Sequence, residues 1–328
     1  MKTQLCSLLA CSTVLVSGAS TLAQGVKLGA DCVISFASVE TARSALTNRD
    51  EFINALSPFD RAARLKTGRV VEEAEFLEYV GQSALAWLPD ETNRVAGVLQ
   101  AVRQQVEPFH LPLPKTILLI KTSGREEGNA CYTRQNAIIL PRRTVLAAGR
   151  GLEHGLTHEL FHVMSRHDAK LRAKLYATIG FSPINSIEYP EGLRSRRITN
   201  PDGVQSGWCI NVTNRNQSLP VVPVLYASAV RYDPEKGGEF FDYLVFRLLV
   251  VTNSGGHWQP KLVEGQPQLL EARQVQGFFE QVGNNTDYII HPDEILAVNF
   301  ERMVRGETNL ATPRIVTEMK RVLAQRRP

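Results

Sequence analysis

"THELFHVMSRHD", Thr157–Asp168, places His158, Glu159, His162, His167 and Asp168 within eleven residues. His158 and His162 are four apart, so on a helix their imidazoles lie on one face, one turn apart. The flanking residues support a helix. Leu152, Leu156, Leu160 and Val163 recur at helical spacing and predict a core-facing stripe on a different side from the histidines. Two imidazoles in this arrangement can share one divalent metal ion. Zn²⁺ suits imidazole and carboxylate donors and lowers the pKa of a bound water to about 7. Glu159, beside the first histidine, is then placed to act as a general base rather than a ligand. The bland reading is a partly exposed helix with two solvated histidines.

The surrounding chain has 328 residues, 43% hydrophobic and 21% charged, with a formal net charge of +4. That is enough apolar material for a full core. Lys and Arg form no long block, which argues against a nucleic-acid binder. Residues 1–23 resemble a secretory signal peptide, with Lys2, an apolar run from Leu5 to Val16 and small residues up to Ala23. Ser7, Ser12, Thr13 and Ser17 interrupt that run, and a stable span needs about twenty apolar residues. Leu8–Cys11 looks like a lipoprotein box, but only seven residues precede it. A secreted or periplasmic chain is therefore expected. After cleavage Cys32, Cys131 and Cys209 remain, allowing at most one disulfide.

Periodicity divides the rest. Residues 24–110 read as helical, with helices expected over Val71–Trp87 and from an Asp90 cap to about Val106. Within 111–183, Thr116–Lys121 reads as a buried strand. Cys131–Pro141 reads as a second strand pairing back on it, followed by the His158 helix and a helix capped by Asp168. Residues 184–285 are richer in Pro, Gly and Asn and read as a β-rich insertion. Residues 286–328 read as helical, with a break near Gly306. The expected class is α+β.

HELFH after a strand pair and ahead of a downstream acidic helix resembles the zincin metallopeptidases. That resemblance implies an active-site helix beneath a small sheet whose edge strand pairs with extended peptide, with Cys131–Pro141 as the edge. "GGEFFDYL", "FFEQVG" and "YIIHPDEIL" are similar to secreted bacterial HExxH proteins of unknown function.

Three carboxylates compete to complete the metal site. Asp168 has the metzincin spacing, but Ser165 stands where that family uses Gly, no methionine suits a Met-turn, and a helix cap explains Asp168 equally well. His167 is one residue out of register. Glu188 lies on a Pro-flanked segment near Arg194, Arg196 and Arg197, with Glu191 as a variant. Glu294, in "HPDEILAVNF", follows Pro292 at a helix start, with Leu296, Phe300, Met303 and Val304 forming the core stripe. Glu294, Ala297 and Phe300 resemble the third-ligand helix of the glutamate zincins, or gluzincins, which carries Glu-x-x-x-Asp. Val298 stands in place of that Asp, which normally orients a ligand histidine. Asp287, Asp293 or Asn299 could substitute. Tyr288, Tyr189, His291 and Arg197 are of the right type to stabilise an oxyanion.

The expectation is a zinc hydrolase, a metallopeptidase acting on peptide or protein, with His158, His162 and Glu294 as ligands and Glu159 as general base. The alternative is an exported binding or structural protein with a degenerate zinc site. A third is a zinc hydrolase acting on a non-peptide amide or ester.

Overall fold

The computed structural model describes residues 25–29, 31–147 and 150–325. The expected signal peptide, with Cys6 and Cys11, lies outside the described residues. The architecture is mixed α+β.

Five strands form the first sheet: β1 (Val26–Lys27), β2 (Val33–Phe36), then, after five helices, β3 (Thr116–Thr122), β4 (Tyr132–Arg134) and β5 (Ala137–Pro141). Their spatial order is β1-β2-β3-β5-β4, with β2, β3 and β5 parallel and β1 and β4 antiparallel to their neighbours. The helices crossing from β2 to β3 are α1 (Val39–Leu46), α2 (Glu51–Ala55), α3 (Pro58–Arg64), α4 (Glu73–Gly81) and α5 (Pro89–Val106).

Alternation along the strands sorts the layers. Ile117, Leu119, Ile138 and Leu140 share a core with Val95, Leu99 and Val102 of α5 and with Leu152, Leu156 and Leu160. Ile120, Ala137 and Ile139 face the other way and share a core with Ala42, Leu46, Phe52 and Phe76 of α1, α2 and α4. Helices therefore cover both faces, as a largely parallel, apolar sheet requires.

A short α6 (Arg142–Leu146) leads to α7 (Gly151–His167), then α8 (Ala169–Ala177). Beyond β6 (Ser182–Pro183) and α9 (Glu191–Arg194), three long strands β7 (Trp208–Asn214), β8 (Gln217–Ala227) and β9 (Leu244–Ser254) make an antiparallel meander. It is edged by β10 (His257–Pro260), with smaller pieces β11 (Leu262–Val263), β12 (Gln266–Pro267) and β13 (Leu269–Leu270). Trp208, Ile210, Val221 and Leu248 of this sheet join the core shared with α7 and α8, so the apolar interior is continuous. The chain closes with α10 (Phe278–Val282), α11 (Pro292–Val304) and α12 (Pro313–Ala324), the last two separated at Gly306, which sits at φ 67°.

Four local expectations need correction. The helix expected over Val71–Trp87 is only α4, Glu73–Gly81. The Asp90 cap is displaced: Pro89 opens α5, and Glu91 accepts the Leu88 amide at 2.9 Å. Cys131–Pro141 is a hairpin, not one strand, because Gln135 turns the chain at φ 52° without a glycine to signal it. β5 runs parallel to β3 inside the sheet, and of the two hairpin strands β4 is the one at an edge. Cys32, Cys131 and Cys209 are all free thiols. No helix among the described residues is long and apolar enough to cross a membrane.

Candidate metal centre

Helix α7 supplies the two histidines. Its second half is buried on nearly every side: Leu156, Thr157, Glu159, Leu160, Phe161, His162, Val163, Met164 and Ser165. His162 is fully buried and the His158 side chain is 19% exposed, which removes the solvated-helix reading. The rings sit 4.8 Å apart.

Helix α11 packs against α7 and starts with Pro292. The His291 imidazole caps it, Nδ1 accepting the Asp293 amide at 3.1 Å. This start delivers two buried carboxylates, Asp293 and Glu294, into the same place. Glu294 Oε2 lies 3.1 Å from His158 Nε2 and 3.5 Å from His162 Nε2. Donors about 2.1 Å from a tetrahedral zinc ion would be about 3.4 Å apart, and the two observed separations bracket that value. The His162 Nε2 is buried with no hydrogen-bond partner, in an interior where such orphans are rare. His158, His162 and Glu294 thus fit a divalent cation by spacing and by donor chemistry.

Surrounding groups fix each donor. Asp293 Oδ2 lies 2.6 Å from His162 Nδ1. Ser165 and Tyr176 hydroxyls donate to Asp293 Oδ1 at 2.5 and 2.7 Å. Burial opposes a charge on Asp293, yet its bond to His162 holds the carboxyl below the ordinary range. A carboxylate only accepts, so Nδ1 of His162 carries a proton, and Nε2 is the nitrogen left to meet a metal ion or a second proton. Asp293 therefore takes the orienting role that Val298 cannot. Asp287 is exposed, and Asn299 is occupied with Asn285 and the Ile295 carbonyl. Asn200 Nδ2 donates to Glu294 Oε1 at 2.5 Å, leaving Oε2 toward the histidines.

Glu159 is buried beside this triad. Thr133 Oγ1, on β4, donates to its Oε2 at 2.8 Å. Burial pushes the Glu159 carboxyl up, against the pull of His162 and His158. Asp202 completes the acidic wall, with a ligating atom within 4.8 Å of those of Glu159 and His162. Burial and then the Glu159 charge push its carboxyl well up. For His162, burial alone would lower the pKa, but the charges of Asp202 and Glu294 raise it well above the ordinary value. The cage calls for positive charge at His162 Nε2, as a proton or as a metal ion.

The other ligand candidates lie elsewhere. Asp168 accepts the Leu171 amide at 2.9 Å and caps α8. His167 is exposed at the end of α7. Glu188 is exposed and lines a surface groove with Asn54, Pro58 and Arg197, while Glu191 pairs with Arg194. Of the oxyanion candidates, Tyr288 lines a cleft beside the site with Asn200 and Asp202. Its ring is partly exposed to solvent, and burial at the hydroxyl, then the charges of Glu294 and Asp202, push the phenol up. His291 is committed to capping α11, with Nε2 3.2 Å from the Gln205 carbonyl. Arg197 stacks over Tyr189 and donates to the Val204 carbonyl.

Thr133, Asn200 and Asp202 were missed in the sequence, where each is a lone polar residue in a strand or loop. The presumed substrate edge also needs correction. The Thr133 amide donates to Asp202 Oδ1 at 2.7 Å, and its carbonyl accepts from Arg166 Nη1 at 2.6 Å. The centre of β4 is therefore not free to pair with a peptide.

No family model, curated protein or solved structure matches this chain.

Proposed function

We propose that the protein is a zinc-dependent hydrolase, with peptide bonds as its substrate class, related in plan to the glutamate zincins. The observation that carries this reading is the convergence of His158, His162 and Glu294 around the orphaned His162 Nε2, although Glu294 is 136 residues from His158. An HExxH helix beside a small sheet, joined by a later glutamate helix, is in keeping with what the resemblance implies. The missing Asp at Val298 favoured a degenerate site, and Asp293 offsets that argument.

His158, His162 and Glu294 would hold the zinc ion, which when bound makes water acidic and polarises a carbonyl. Glu159 takes a proton from the attacking water and passes it to the leaving amine nitrogen. Thr133 holds one Glu159 oxygen, so the other is left for proton transfer. Asp293 keeps His162 in one tautomer, and Asn200 keeps Glu294 in one orientation. Tyr288, which lines the adjoining cleft, would donate to an oxyanion.

Elemental analysis of the purified chain combined with peptide-pool digestion tests the reading. One zinc per chain is expected, with hydrolysis abolished in Glu159→Gln while zinc remains. Stoichiometric zinc with no turnover on any peptide pool would return the site to a binding or structural role.

A further inference from the structure

Two of the groups that steady the site come from one short stretch of chain. Asn200 Nδ2 donates to Glu294 Oε1. Asp202 Oδ1 accepts the amide of Thr133, the residue whose hydroxyl bonds Glu159. The stretch is tied together by the Asn200 side chain, which accepts the Asp202 amide at 3.0 Å, and by Arg166, which donates to the carbonyls of Thr133 and Pro201. Residues 199–202 thus reach the candidate ligand Glu294 directly and the candidate base Glu159 through Thr133. Yet they belong to no helix or strand. A loop without a backbone ladder samples several conformations unless side chains fix it.

The fixing side chains come from α3, in the N-terminal helical region. Ser57, which caps that helix, donates its hydroxyl to the Arg197 carbonyl at 2.6 Å. Thr199 donates its amide (3.1 Å) and its hydroxyl (2.8 Å) to the Asp60 carboxylate, and its carbonyl accepts from Arg64 Nη2 at 3.0 Å. Arg64 is itself held. Nη1 donates to Asp60 at 2.6 Å, while Nε and Nη2 donate to the two Glu127 oxygens at 2.7 and 2.9 Å. All three charged side chains are buried. Such a cluster is a weak source of stability, because taking the charges out of water costs about what their attraction returns. What it does supply is direction, since forked guanidinium–carboxylate bonds fix the geometry. An apolar side chain at position 60 or 64 could fill the space but could not grip the Thr199 backbone.

We infer that Asp60 and Arg64 are positioning residues of the metal site. By gripping Thr199 they set the loop that aims Glu294 at the histidines and keeps Thr133 on Glu159. They act through that loop, with no contact of their own to a reacting group required. The inference rests on the metallopeptidase reading above, and it extends the site to a helix that the sequence marks only as part of the N-terminal helical region.

The test uses the full chain loaded with zinc, or with cobalt in its place, whose visible spectrum reports ligand geometry. Thr199→Val keeps the side-chain shape and removes the hydroxyl. Asp60→Asn keeps the shape and removes one accepting oxygen. Each should weaken zinc binding by roughly three- to ten-fold, less than the loss expected for a direct partner of a ligand, and should shift the cobalt spectrum. On the peptide cleaved fastest in the pool, kcat should fall about ten-fold with KM changed by about two-fold or less. Thr199→Ser, which restores the hydroxyl, should return affinity, spectrum and kcat to wild type. Glu91→Gln breaks a different buried pair, Glu91 with Lys121 between α5 and β3, and should lower the melting temperature without moving affinity or spectrum. Wild-type affinity and spectrum in Thr199→Val and Asp60→Asn, or the same changes in Glu91→Gln, overturn the inference alone. Should Asp60→Asn fail to fold, the Thr199 pair decides. Zinc without turnover in the wild type overturns the metallopeptidase reading, and affinity and spectrum still judge the inference. A wild-type chain that takes up neither metal overturns both.

Discussion

His162 Nδ1 and Asp293 Oδ2 are 2.6 Å apart, and the residue after Asp293 is the carboxylate that faces His162 Nε2. One helix start thus both orients a histidine and supplies the carboxylate of the candidate metal site beside it. Adjacent residues can do this because the first turn of α11 projects Asp293 and Glu294 in different directions around the same imidazole.

Asp293→Asn should keep the shape of the site but weaken the preference for the Nδ1–H tautomer. Zinc affinity is expected to fall by roughly 10–100-fold, as for other outer-shell partners of ligand histidines. Competition against a chromogenic chelator measures this. Unchanged affinity would mean that Asp293 serves packing alone.

Thr133→Val removes the hydroxyl that holds Glu159. Zinc content should be unchanged while kcat falls by roughly ten-fold or more, a fraction of the 10²–10⁴ that a general base contributes. Steady-state kinetics beside metal analysis separates this from loss of the site. A loss of zinc in this variant would contradict the assignment.

Stripping the metal should lower the melting temperature, since the buried carboxylates Glu159, Asp202 and Glu294 then face one another without the ion. Zinc at a hundred times its dissociation constant would restore about 2.7 kcal/mol. Differential scanning fluorimetry with chelator and back-titration reads it out. Asp168→Asn and Glu188→Gln should leave the zinc-dependent shift intact.

Burial pushes the Glu127 carboxyl up to about 7, although Arg64 pulls the other way. Two carboxylates, Asp60 and Glu127, share that one guanidinium. The folded value lies above the ordinary 4.5, so the folded protein holds a proton that the unfolded chain has released. This contribution is complete below about pH 4.5 and is lost as pH rises through about 7, on the order of 1–3 kcal/mol. Glu127→Gln should flatten the difference between urea midpoints at pH 5 and pH 8. Arg64→Met, by contrast, strands two buried acids and should cost roughly 3–5 kcal/mol.

The HELFH reading was available without any structure, because an i, i+4 pair on a helix is a local property of a few consecutive residues. Glu294 was reachable for a similar reason. Pro292 marks a helix start, the apolar stripe marks its buried side, and what is left over is an acid facing elsewhere. The strand Thr116–Thr122 and the Asp168 cap were legible on the same local grounds. Tertiary packing decided the rest. Thr133, Asn200 and Asp202 come from a short edge strand and a loop, and nothing in their own neighbourhoods says which helix they will meet. The turn at Gln135 converts one presumed strand into a hairpin and sets β5 parallel to β3. The buried links of Thr199 to Asp60 and Arg64, more than a hundred residues away in sequence, then close the edge that sequence alone left open. Local spacing picked out the candidate ligands and the candidate base. Long-range packing decided which groups hold them in place.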